Sequence, residues 1–177
     1  MRKMFQQKNI VLIGMPGAGK STLGVLLAKL LVRDYLDLDL VIQRRELLSL
    51  QEIIDARGLE AFRAIEEQAV LSLGETGYVI ATGGSVVYSE PAMRHLRDHG
   101  IIVYLKVALN ELERRLTNLA SRGVVMAPGQ TLDGLYHERE PLYERYADVA
   151  VETVAGTHEH SLARLLEALA AYEKKDS

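Results

Sequence analysis

Eight consecutive residues carry the plainest chemistry in the chain. Gly14, Met15, Pro16, Gly17, Ala18, Gly19, Lys20 and Ser21 satisfy the pattern G-x-x-x-x-G-K-S/T, and Thr22 continues into a helical stretch. Glycines leave backbone N–H groups room to close around phosphate oxygens, and a helix starting near Lys20 adds the positive end of its dipole. Lys20 reaches the β- and γ-phosphates, and the Ser21 hydroxyl is a ligand for Mg²⁺. A nucleoside triphosphate with Mg²⁺ follows from this stretch. The acceptor of the phosphoryl group does not.

Further along, residues suited to an acceptor recur. Asp37 and Asp39 in "YLDLD" are carboxylates two apart. At a strand end they can diverge, one toward metal and one toward substrate, although an acid there is equally a helix cap. Arg63 in "GLEAFRAIEE" has Glu66 three residues on, close enough on a helix to hold the guanidinium. "ATGGS", Ala81 to Ser85, runs into paired glycines that would admit a ligand against bare backbone. Arg139 in "EREPLYERYAD" stands near Pro141, which sets the local chain path. A GTPase switch would need N-K-x-D, which is absent, and "DARG" at Asp55 to Gly58 lies inside a helical stretch. A motor ATPase would need an apolar strand closing on Asp-Glu, also absent.

These residues need a scaffold that brings strand ends together. "NIVLIG" is a short unbroken apolar run, the form of a strand covered on both faces. Leu23, Leu26, Leu27, Leu30 and Leu31 then recur at helical spacing to about Val32. "YLDLD", "YVIAT", "IIVYLKV" and "DVAVE" read as further strands. Between them the pattern predicts helices from a Ser49–Glu52 capping box to about Arg57, from Glu60 to Leu73, and from Ser89 to a stop at Gly100. Others follow over "LNELERRLTNLA", around Tyr136 to Tyr146, and over "SLARLLEALAAYEKK". Alternating strand and helix implies an α/β fold, a parallel sheet wrapped by helices, with ligands outside the carboxyl ends of the strands.

The whole-chain properties agree with one small domain. At 177 residues and 48% hydrophobic content, residues 1–177 suit a single core. A net charge of −3 excludes an overall cationic field, so neither nucleic acid nor an anionic membrane is expected as partner. There is no cysteine for disulfides or thiolate metal sites. The amino terminus has neither a signal peptide nor a membrane span, and a cytoplasmic monomer is the expectation. The five histidines are scattered and receive no role.

The ordered set "GMPGAGKST", "YLDLD", "GLEAFRAIEE", "IATGGS", "SRGVV" and "HEREPLYERYAD" resembles the shikimate kinase family from about Asn9 to the last helix. The resemblance implies a three-layer α/β/α P-loop fold of nucleoside-monophosphate-kinase type. It would have a five-stranded parallel sheet, a substrate-binding helical region at 39–73 and a mobile lid at 118–130. It implies transfer of the γ-phosphate of ATP to the 3-hydroxyl of shikimate. Asp39 would then position the attacking hydroxyl, and Asp37 would help Ser21 hold Mg²⁺ through water. Arg63 and Arg139 would grip the carboxylate, with Glu66 orienting Arg63, and planar guanidinium forks suit that task. Gly83 and Gly84 would pass close to the acceptor. Arg122 would close on the phosphates with Lys20, and Arg115 would stack on adenine.

Two departures stand out. Ser85 replaces the family's usual third glycine, adding a hydroxyl where bare backbone normally faces the acceptor. In the lid, Gly123 replaces a proline and should loosen the backbone. The same residues would also serve a kinase of another small hydroxylated carboxylate, such as a sugar acid or hydroxy amino acid. An ATP-binding regulatory protein without turnover is the alternative from another class.

Overall fold

Five strands, β1 (Asn9–Ile13), β2 (Tyr35–Asp37), β3 (Val79–Ala81), β4 (Gly100–Lys106) and β5 (Val149–Glu152), form one sheet in the computed structural model. Their order is β2-β3-β1-β4-β5, and every neighbouring pair is parallel. The structure describes residues 7–117, 129–153 and 158–175. β1 is buried throughout, as a central strand covered on both faces must be, whereas edge strand β5 alternates buried and exposed residues. Leu12 lies opposite Ala81, Ala81 opposite Asp37, and Ile13 opposite Tyr104. This register brings the carboxyl ends of β1, β2 and β3 level, where the loops that follow them meet.

Among the described residues seven α-helices surround the sheet: α1 (Lys20–Leu31), α2 (Leu38–Glu46), α3 (Leu50–Leu71), α4 (Glu90–His99), α5 (Leu109–Thr117), α6 (Leu132–Tyr146) and α7 (His158–Lys175). α1 and α7 pack together and against β3 and β5, while α4 and α6 pack on β4 and α3 on α4. Their apolar faces join the strands in one core that includes Leu23, Leu27, Met93, Leu96, Leu165 and Leu169. Burying each Leu or Met side chain contributes about 1.5–3 kcal/mol before entropy is counted. Among the described residues no helix is long and apolar enough to cross a membrane.

Local chemistry sets several boundaries differently from the sequence pattern. The strand in "YLDLD" stops at Asp37, whose side chain accepts a hydrogen bond from the Asp39 N–H at 3.1 Å and so caps α2. Asp39 therefore sits in the first turn of a helix and not on a strand. The Ser49–Glu52 capping box is present, with the Ser49 N–H donating to Glu52 Oε2 at 2.7 Å. The two helices expected on either side of Gly58 are the two halves of α3, which kinks at that residue, non-helical at φ 83° and ψ 166°. Gly100 ends α4 as its C-cap, as expected, and is also the first residue of β4, where a Cβ would lie 2.9 Å from the Asn9 carbonyl. α6 starts earlier than Tyr136 because Thr131 caps it, its hydroxyl accepting from the Gly134 N–H at 3.1 Å. Most of the expected lid, Asn118 to Gln130, and Arg122 within it, lies outside the described residues.

Candidate active site

The phosphate loop joins β1 to α1. Gly19 occupies the N-cap of α1 at φ 91°, in the left-handed region where glycine is favoured, and this turns the chain sharply into the helix at Lys20. Lys20 is buried, and its Nζ donates to the carbonyls of Gly14 and Met15 at 2.8 and 2.9 Å. Burial depresses its ammonium to about 8, opposed most strongly by the negative charge of Asp39. Ala18 is buried, its N–H donating to the Met15 carbonyl at 3.1 Å. Ser21 and Thr22 begin the helix with exposed side chains. Arg115 on α5 is tied back to this loop: its Nη1 donates to the Gly17 carbonyl at 3.2 Å and its Nε to Glu111 at 2.7 Å.

Beside the loop, Tyr35 donates its hydroxyl to Asp37 Oδ2 at 3.0 Å. Tyr35 is two residues before Asp37, on the same side of a strand, so a period-two reading of "YLD" could have found it. Each Asp37 oxygen accepts one hydrogen bond from the protein, Oδ1 from Asp39 and Oδ2 from Tyr35. Lone pairs remain for a water-mediated contact, and with the Ser21 hydroxyl these are the hard oxygen donors that suit Mg²⁺. No cluster of three His, Cys, Asp or Glu able to hold a metal occurs among the described residues. Phosphate and water would have to supply the rest of the shell.

The acceptor side is built on the turn after β3. Asp39 Oδ1 is buried with no hydrogen-bond partner among the described residues, and burial raises its carboxyl above the ordinary value. It points at Gly83, where a Cβ would lie 3.1 Å from it and would collide with Glu66 Oε1. A Cβ on Gly84 would come within 3.0 Å of both Pro16 of the phosphate loop and Nη1 of Arg139. One glycine thus separates the phosphate loop from the α6 arginine. Tyr143 fixes that glycine by donating to its carbonyl at 2.7 Å, and its ring stacks on Tyr104.

Arg63 from α3 and Arg139 from α6 converge on Tyr88, at the end of the 3₁₀ turn Val86–Tyr88. Their Cζ atoms lie 4.1 and 5.2 Å from the centre of its ring. Arg139 is 1% exposed and donates from Nε to the Tyr88 hydroxyl at 3.1 Å. The expected Arg63–Glu66 pair is absent. Glu66 is buried instead under the turn, where Ser85 Oγ donates to its Oε2 at 2.6 Å. Burial raises the Glu66 carboxyl to about 7, and the Ser85 bond acts the other way. A short hydroxyl beside it outcompetes an arginine whose guanidinium lies on an aromatic ring. No sequence signal pointed to Tyr88; Tyr143 sits one helical turn beyond Arg139, a spacing that could have marked it.

The site therefore combines a phosphate loop, an unpartnered carboxylate oxygen and two converging guanidinium groups. The family model described as shikimate kinase matches residues 16–170. The chain belongs to the shikimate kinase family. It is 38% identical over 169 residues to a shikimate kinase of Bordetella avium, covering 94% of this chain and 81% of that one. To a shikimate kinase of Shewanella denitrificans it is 39% identical over 153 residues, covering 85% of this chain and 90% of the other. The fold matches shikimate kinase from Acinetobacter baumannii, solved in complex with shikimate. The TM-score is 0.87 at 31% identity, over 97% of this chain and 98% of that one. The Ser85 hydroxyl, in the turn after β3, is taken up by Glu66 beneath that turn.

Proposed function

We propose that this protein transfers the γ-phosphoryl group of ATP to the 3-hydroxyl of shikimate. One observation carries the reading. A Cβ at Gly84 would lie 3.0 Å from both Pro16 on the phosphate side and Arg139 on the acceptor side, so donor and acceptor would meet across a single residue. Arg63 and Arg139 bind the acceptor carboxylate through their planar edges, and Gly83, Gly84 and the turn to Ser85 line its ring. Asp39 Oδ1, buried and without another partner, takes the attacking hydroxyl and fixes its direction.

On the nucleotide side, the backbone of Gly14, Pro16, Gly17, Ala18 and Gly19 cradles the phosphates, and Ser21 and Thr22 open the helix beneath them. Lys20 is already aimed into the loop, where it faces the charge that grows during transfer. Arg122 would act on the same phosphates, and Arg115 would stack on the adenine. Ser21 would hold Mg²⁺, with Asp37 acting through water, and the bound ion would supply positive charge against the phosphates. The helical region 39–73 forms the acceptor wall of a single domain.

The test is direct. Purified protein with ATP, Mg²⁺ and shikimate should give shikimate 3-phosphate, with the position of the phosphate read by NMR. If shikimate stays inert while gluconate or a hydroxy amino acid is phosphorylated, the named acceptor is wrong and the phosphate-loop chemistry stands. ATP binding without transfer to any acceptor would point to a protein without turnover.

A further inference from the structure

Both arginines of the acceptor site reach the same aromatic ring, and no role has been given to that ring so far. Arg63 and Arg139 come from helices more than seventy positions apart, yet their Cζ atoms lie 4.1 and 5.2 Å from the centroid of Tyr88. Two like charges brought this close repel each other, and a protein that needs both must hold them there. The face of an aromatic ring is negative and attracts a guanidinium laid over it. The Tyr88 hydroxyl adds a second hold, accepting from Arg139 Nε at 3.1 Å and donating to Glu138 Oε1. Arg63 has no such second hold. It forms no ion pair or hydrogen bond among the described residues, and its buried Nε is unpartnered. The ring is what fixes it.

Stacking and carboxylate binding use different parts of a guanidinium. The ring touches the flat face, whereas a carboxylate is gripped by the N–H donors along the edge. A contact to the face therefore fixes direction without consuming donors, which a salt bridge to Glu66 would have done. The post itself is well anchored. The Tyr88 N–H donates to the Ser85 carbonyl at 3.0 Å, Val86 and Val87 are buried, and Ser85 is tied to Glu66. From these contacts we infer that Tyr88 is a positioning residue that pre-sets Arg63 and Arg139 for the acceptor's carboxylate and so makes the enzyme selective for acids. The inference rests on the acceptor reading proposed above.

Two apolar variants separate the ring from its hydroxyl. Tyr88→Phe keeps the π face and loses the hydroxyl; Tyr88→Leu removes both. The assay compares shikimate with its carboxamide, which lacks the charge the arginines would bind. Tyr88→Leu should raise the KM for shikimate about tenfold, or about 1.4 kcal/mol. It should leave kcat and the KM for ATP within about twofold, and use of the carboxamide unchanged, because ordered donors matter only to the charged group. Tyr88→Phe should stay within about threefold of the wild type for shikimate, the low end of what one hydrogen bond contributes, because the ring still holds both guanidinium faces. The inference fails if Tyr88→Leu weakens both acceptors equally, if the loss extends to ATP, if nothing changes, or if Tyr88→Phe is as damaged as Tyr88→Leu. A wild type that ignores shikimate would defeat the acceptor reading instead, so the two failures are distinct.

Discussion

Replacing Ser85 with alanine should destabilise the protein more at alkaline than at acid pH. Ser85 Oγ donates to Glu66 Oε2 at 2.6 Å, Glu66 is 2% exposed, and its Oε1 has no hydrogen-bond partner among the described residues. When that carboxyl is ionised, the hydroxyl donates to a charge, a bond worth about 1.5–3 kcal/mol; when it is protonated, the bond is worth about 0.5–1.5 kcal/mol. Burial raises the folded-state value to about 7 from an ordinary 4.5. Between those values the folded protein holds a proton that the unfolded chain has released, so this group's contribution to stability falls as pH rises from 4.5 through 7. Ser85→Ala removes the one hydrogen bond that favours the ionised form. The Glu66 value should climb by about one further unit, since one unit is about 1.4 kcal/mol. Urea unfolding should therefore show a loss of roughly 1 kcal/mol at pH 5 and roughly 2 kcal/mol at pH 8. In a Glu66→Gln background the pH dependence of that loss should vanish. An equal loss at both pH values in the wild-type background, or a larger one at pH 5, would refute the reasoning.

Three other outcomes are expected. Lys20→Ala should lower kcat by about 10²–10³-fold, because its charge matters most where negative charge develops, while circular dichroism shows an unchanged fold. Near-normal single-turnover transfer by the folded variant would contradict the assignment. Arg63→Ala and Arg139→Ala should each reduce kcat/KM for the acceptor about ten- to a hundredfold with nucleotide affinity unchanged by calorimetry, and Arg139→Lys should recover only part, lacking the planar fork. An equal loss of ATP binding would make these arginines structural. Val32 closes α1 at φ 55° and is 84% exposed, so a β-branched residue is held in the left-handed region without compensating burial. Val32→Gly should relieve about 1 kcal/mol and raise Tm by about 2–4 °C in thermal unfolding; an unchanged or lower Tm would show that the strain is not there.

The phosphate loop was legible because its chemistry constrains residue type directly: a backbone cradle needs Gly17 and Gly19, and Lys20 needs its charge. The alternation of β1, α1, β3 and β4 was equally plain, since buried strands read as unbroken apolar runs and α1 as a 3.6-residue stripe. The helical region implied at 39–73 takes in α2 from Asp39 on, but the start of that helix was hidden because "YLDLD" has the two-residue period of a strand. The cap formed by Asp37 ends that strand after three residues, and a cap depends on a hydrogen bond that periodicity does not encode. Glu66 was assigned to Arg63 from helical spacing. The competitor, Ser85, stands nineteen positions away and arrives only through the turn after β3. Tyr88 escaped for the same reason: its significance lies in two arginines on separate helices, and nothing near it in the chain announces them.

The strand order carries a consequence for synthesis on the ribosome. β1 pairs only with β3 and β4, and β2 only with β3, so the first two strands to emerge are not neighbours. Until Val79–Ala81 has left the exit tunnel, neither of them has a sheet partner, and their apolar faces and open edges must wait. At about 5–20 residues per second that wait is several seconds, long beside the microseconds in which α1 can form. β3 then joins both strands at once, closing two registers in a single event. Elongation pauses before β3 would prolong exposure of the amino-terminal third, whereas pauses after it would find the centre of the sheet already protected.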